Sequence, residues 1–207
     1  QLCDAIRRSD VRDWVHIEAM LNYYSLNRGM IERMVDAGYY KVRFGIETLD
    51  AENSDKIFSS RWKKDNEKLY QVLEDCKGAG MKVYATLSVG TYGSTAATDR
   101  HTLESLKHLY AGGYIQDWQV SINTPMPGTP FYNEVVEKGY LAIHDPARQD
   151  GMGTSVVDYP EYRREEIETV FREFQDFGRT MVFGNQDRGI RYSMYDRDWT
   201  KYCLDVT

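Results

Sequence analysis

Glu47 closes an otherwise apolar run, Phe44-Gly45-Ile46-Glu47-Thr48. A carboxylate in that position can accept hydrogen bonds from hydroxyls or an amine. It can equally be a solvated loop residue or a cap on the next helix, because carboxylates are mostly exposed. A second run ends Ser88-Val89-Gly90-Thr91-Tyr92-Gly93-Ser94-Thr95. Its glycines would let the backbone come close to a bound group, or simply make a turn. A third runs into Asn123-Thr124-Pro125-Met126-Pro127-Gly128-Thr129-Pro130. Its prolines fix an extended backbone whose carbonyls and amides could face a planar ring, or form a structural elbow. Glu18, in His16-Ile17-Glu18-Ala19, points into the same mouth or away from it, depending on strand alternation.

Other chemistries find little support. His16, His101, His108 and His144 form no pair at ligand spacing, and Cys3, Cys76 and Cys203 lie far apart. No catalytic acid, base or metal ligand stands out, and there is no phosphate loop. The net charge of −6, with scattered cations, argues against a nucleic-acid partner. No run of about 18 apolar residues suggests a membrane span. Three widely spaced cysteines argue against a disulfide framework and lead us to expect a reducing cytoplasm. The first residue is Gln1 rather than Met, which leads us to expect a piece cut from something longer.

The elements that position these residues follow a repeat. Three times a helical stretch ends in a glycine joint and a β-rich run follows. The joints are Asp36-Ala37-Gly38 before Lys41, Gly78-Ala79-Gly80 before Lys82, and Ala111-Gly112-Gly113 before Trp118. Glycine past a helix end adopts the left-handed conformation at little cost. Asn27, Asp65 and Asp99 are candidate caps for helices whose apolar faces hold Ile31 and Met34, Leu69 and Cys76, and Leu103 and Leu109. Strands are expected over residues 14–20, 42–48, 82–90 and 118–123. Alternating strands and helices of these lengths imply a parallel sheet with right-handed crossovers. The fold class expected is therefore α/β: a partial (β/α) barrel of about four parallel strands, because a closed one needs roughly 250 residues. The barrel part is expected over residues 1–141, and a C-terminal extension with one long helix from about Pro160 over residues 142–207.

The combination of Val42-Arg43-Phe44-Gly45-Ile46-Glu47-Thr48, the Gly90-Thr91-Tyr92-Gly93-Ser94-Thr95 turn and Pro125-Met126-Pro127-Gly128-Thr129-Pro130 resembles the later barrel half of the radical S-adenosylmethionine superfamily, especially its cobalamin-binding branch. The resemblance covers roughly residues 2–141. It implies that Glu47 contacts the ribose or amino-acid part of S-adenosylmethionine. It also implies that Glu18 is placed for the methionyl amine, that Thr86 and Gly90 line the cofactor, and that Pro125 opens a segment bordering the adenine. Arg61 is a looser match to a basic residue on the next helix. Tyr92 stands where the family usually has proline. The family's Cys-x3-Cys-x2-Cys loop is absent, so the 4Fe–4S ligands are absent, and cobalamin would belong to an upstream domain.

The expectation is thus a fragment of a radical S-adenosylmethionine enzyme, inactive alone, with an unknown small-molecule substrate and missing N-terminal barrel strands. Self-association through an exposed sheet edge is also expected. The alternative is a non-catalytic α/β binding or scaffold module.

Overall fold

All three glycine joints turn a helix back into a strand, with Gly38, Gly80 and Gly113 at φ of 93°, 74° and 73°. The computed structural model describes residues 1–11, 14–50 and 66–186. In chain order these form α1 (Leu2–Arg7), β1 (Ile17–Leu21), α2 (Arg28–Asp36), β2 (Tyr39–Glu47), α3 (Asn66–Gly78), β3 (Lys82–Val89), α4 (Ala96–Ala111), β4 (Asp117–Ile122), α5 (Pro130–Glu137) and α6 (Arg164–Gln186). The four strands make one sheet in the order β1-β2-β3-β4, with β1/β2 and β2/β3 parallel. The architecture is α/β, a partial βα barrel. The expected strands recur with shifted ends. β1 begins only at Ile17 because Trp14 and Val15 donate their amides to Val11 in a turn.

Side-chain alternation gives the sheet two chemically distinct faces. Val42, Phe44 and Ile46 of β2 and Val83, Ala85, Leu87 and Val89 of β3 are all buried. They meet the apolar stripes of the helices, where Ile31 and Met34, Leu69, Val72, Leu73 and Cys76, and Leu103 and Leu106 are buried too. The other face carries Arg43, Gly45 and Glu47 from β2 and Tyr84, Thr86 and Ser88 from β3. Among the described residues of β2 and β3, the polar side chains gather on that face.

Capping follows the sequence in part. The Asn27 carboxamide accepts the Met30 amide at 3.0 Å. α4 is capped by Thr95 with Thr98 in a reciprocal pair, not by Asp99. Asp99 lies one turn inside, buried, and accepts the Gly90 amide at 2.8 Å instead. The expected cap Asp65, the loose match Arg61 and the aromatic residues 187–207 lie outside the described residues.

The chain divides into two compact units, residues 1–118 and 119–207. In the second unit, Met126-Pro127-Gly128-Thr129 forms a turn with Gly128 at φ 87°, as a type II turn requires. Thr129 then caps α5 through the Tyr132 amide. An antiparallel bridge joins Leu141 to Val157. α6 starts at Arg164, four residues after Pro160, because the Asp158 carboxylate accepts the Arg164 amide at 3.0 Å. Tyr162, Ile167, Val170, Phe171 and Phe174 are buried along it.

Candidate functional site

Glu47 is the last residue of β2 and the one described non-glycine residue at positive φ, 65°. Two features produce this. The β2/β3 register slips between Gly45 and Glu47, so that Gly45 pairs with Thr86 and Glu47 with Leu87. The Thr48 amide then reaches back over Glu47 to the Ile46 carbonyl at 2.8 Å, making a γ-turn with Glu47 at its apex. A side chain at positive φ costs about 1–2 kcal/mol. The next residues hold the turn in place. The buried Thr48 hydroxyl lies 3.0 Å from the Thr102 hydroxyl of α4, which also accepts the Leu49 amide at 3.2 Å. The strained carboxylate is thus braced against a helix and aimed at the carboxyl end of the sheet.

Its immediate surroundings are polar. Ser88 donates its hydroxyl to Glu47 Oε2 at 2.7 Å. Thr86, two residues earlier on the same face, donates to the Phe44 carbonyl at 3.2 Å. Gly45 adds no side chain to that face. Gly90, at φ 67°, ends β3 with its amide held by Asp99. Glu47, Thr86 and Gly90 therefore gather at one end of the first unit, together with Ser88, which sequence reasoning did not single out. The signal for Ser88 was its parity with Thr86 on the same strand. Pro125 is buried in the second unit, next to the Thr124 hydroxyl that donates to the Ile122 carbonyl at 3.1 Å.

A test of the strain is available at position 47. Glu47→Gly and Glu47→Ala both lose the carboxylate, but only alanine keeps a Cβ at positive φ. The glycine variant is expected to be the more stable by about 1 kcal/mol in urea denaturation.

Glu18 does not share this mouth. It pairs with Lys41, six residues before Glu47 along β2, a strand distance of about 20 Å. The carboxylate sits near the amino end of the sheet and is fully engaged. It accepts the Tyr40 hydroxyl at 2.6 Å and Arg43 Nε at 2.9 Å, with Lys41 Nζ at 3.5 Å. The register slip between Ile17 and Glu18 skips Tyr40 on β2, so that Glu18 pairs with Lys41. Glu18 is thus corrected from a cofactor ligand to a member of an ion cluster. Partial burial raises its pKa, but the hydrogen bonds from Tyr40 and Arg43 and the Lys41 charge outweigh that and hold it below 4.5. A depressed carboxyl pKa stabilises the fold above its unfolded value. Stability should therefore fall less steeply on acidification through the carboxylate range in Glu18→Gln than in the parent, measured as the pH slope of stability.

A parallel βα sheet that gathers its polar residues beyond the strand ends belongs to the class that binds ligands there. More particularly, the fold is similar to that of solved radical S-adenosylmethionine enzymes. It is similar to the radical S-adenosylmethionine methyltransferase TsrM from Kitasatospora setae with cobalamin and [4Fe-4S] cluster bound (TM-score 0.56, 16% identity), covering 70% of this chain and 27% of that one. It is also similar to coproporphyrinogen III oxidase (HemN) from Escherichia coli, a radical SAM enzyme (0.55, 14%), over 81% of this chain and 33% of that one. A third similar structure is Elp3 from Methanocaldococcus infernus (0.54, 14%), over 93% and 51%. The chain thus spans between 27% and 51% of the length of these structures. No family model matches the sequence, and no curated protein does either.

The residues present do not fit an iron–sulfur cluster, which is held by cysteine thiolates. Cys76 is buried on α3, where loss of water and then the nearby Asp75 charge push its thiol up to about 12. Among the described residues no group of three His, Cys, Asp or Glu could hold a metal ion. Nor is any described helix long and apolar enough to cross a membrane. The Glu47 carboxylate, by contrast, has the chemistry to meet a ligand presenting hydroxyls or an ammonium, because a carboxylate accepts up to about four hydrogen bonds.

Proposed function

We propose that the chain is part of a radical S-adenosylmethionine enzyme and holds the adenosyl group of S-adenosylmethionine at the carboxyl end of β2 and β3. The observation that carries this reading is the conformation of Glu47. A carboxylate kept at positive φ at a strand end, against its steric cost, is the kind of strain that persists where a site needs a fixed group.

In this reading Glu47 accepts hydrogen bonds from the ribose hydroxyls or the amino-acid ammonium. Ser88 orients the carboxylate through its hydroxyl, and Thr86 and Gly90 line the same end. None of these residues moves a proton in the reaction; they bind and orient. Bound S-adenosylmethionine would supply the radical precursor, and the cluster that reduces it lies on residues this chain lacks. Cobalamin, if used, belongs to another part of the parent polypeptide. Residues 1–207 alone therefore bind without turning over.

Isothermal calorimetry tests this with S-adenosylmethionine and 5′-deoxyadenosine. Saturable binding of both is expected, with no methionine released under dithionite. No binding of either ligand would overturn the reading, and with a stable oligomer would favour a scaffold module. Methionine release would overturn the claim of inactivity.

A further inference from the structure

The β2/β3 ladder stops short of the candidate site. Its last paired residues are Glu47 and Leu87, so that ladder fixes neither Thr48 and Leu49 nor Gly90. Side chains of one helix take over. The Asp99 carboxylate accepts the Gly90 amide at 2.8 Å. One turn further along α4, the Thr102 hydroxyl accepts the Leu49 amide at 3.2 Å and lies 3.0 Å from the Thr48 hydroxyl. Residues three apart share a helix face. A single element therefore grips both strand ends on which the candidate ligand groups sit.

These ties lie out of water. Asp99 and Thr102 are each 1% exposed, and Thr48, Thr91 and Ser94 in the adjoining turns are buried too. They make up five of the seven buried polar or charged residues among the described ones. Burying polar groups costs free energy unless they are hydrogen-bonded. Plain packing does not require them, since Leu103, Leu106 and Leu109 already bury the apolar stripe of α4. A satisfied buried network instead selects one arrangement over its neighbours. The arrangement selected here is the placement of Glu47 relative to Gly90. Ser88, two residues before Gly90, donates to the Glu47 carboxylate, so a shift at either end reaches the other.

We infer that Asp99 and Thr102 are positioning residues, which set the ends of β2 and β3 from one face of α4 and so govern ligand affinity without touching the ligand. The inference rests on the proposed function for the ligand, whereas the clamp is a property of the ligand-free chain. A binding group must be held within about 0.5 Å of its productive place, which is the precision such a clamp supplies.

The test uses residues 1–207 with two readouts: the carboxyl ¹³C resonance of Glu47 without ligand, and calorimetric affinity for 5′-deoxyadenosine. Thr102→Val keeps the shape and removes the hydroxyl, and Asp99→Ala removes the acceptor. Each should move the Glu47 resonance and weaken binding at least about 10-fold. Thr102→Ser and Asp99→Asn keep an acceptor for the same amides and should bind within about threefold of the parent. The buried Thr91 hydroxyl has no hydrogen-bond partner among the described residues. Thr91→Val thus breaks no tie and should leave both readouts as they are. Should Asp99→Ala fail to fold, Thr102→Val and its serine rescue decide the matter. An unmoved Glu47 resonance in Thr102→Val would overturn the inference, as would serine failing to rescue or Thr91→Val matching the tie-breaking variants. If the parent binds no 5′-deoxyadenosine while the resonance still answers to both ties, the proposed function fails alone. Binding that is indifferent to both ties fails this inference alone.

Discussion

Lys41→Ala is expected to destabilise the first unit by about 3–5 kcal/mol, the cost of leaving a buried charge cluster without one partner. Lys41 is 1% exposed on the polar face of the central sheet. Its ammonium lies 3.5 Å from Glu18 and 4.0 Å from Asp117, over the Tyr40 ring at 5.4 Å. Arg43 offsets part of the Glu18 charge, with its own guanidinium 4.5 Å over the Tyr84 ring. Asp117 faces Lys41 with its side chain only 14% exposed. Lys41→Met keeps most of the packing volume, so the stability it fails to recover measures the charge. Urea midpoints at unchanged m-value give both numbers. A loss below about 1 kcal/mol would mean that water reaches the cluster and the pairing is a surface effect.

Glu47→Gln should behave in the opposite way. Folding stability is expected to stay within about 0.5 kcal/mol, because the glutamine carbonyl still accepts the Ser88 hydroxyl and the backbone strain is the same. Affinity for S-adenosylmethionine should fall about 10- to 100-fold, as charge-assisted hydrogen bonds become neutral ones and one acceptor oxygen becomes a donor. Calorimetry and urea denaturation on the same sample separate the two effects. Under the proposed function the two ends of the sheet divide the labour: the amino end, around Lys41, holds the fold, and the carboxyl end, around Glu47, is the proposed ligand seat. That is the general pattern of βα barrels.

The repeat was legible from residue types because each joint is a local event. Glycine at Gly38, Gly80 and Gly113 settles a backbone angle that no distant contact must decide. The helix stripes were equally readable, since burial follows a 3.6-residue period. Glu18 shows where such reading stops. Its place depended on where β1 starts and on register: pairing of Ile17 with Tyr39 and of Glu18 with Lys41 sets it near the amino end of the sheet. Asp99 fails as a cap for a related reason. Thr95 and Thr98 supply the reciprocal pair, which frees Asp99 to hold Gly90. Ser88 gains its role only because the slip between Gly45 and Glu47 turns the carboxylate toward it. Residues near a strand end thus owe their function to registers that composition does not encode.

The most direct measurement is the carboxyl ¹³C spectrum of the chain labelled at glutamate, with the Glu47 signal assigned by its loss in Glu47→Gln. On titration with 5′-deoxyadenosine the Glu47 resonance should move saturably while that of Glu18 stays fixed. A ligand that binds and shifts Glu18, or leaves Glu47 unmoved, would contradict the placement of the adenosyl group.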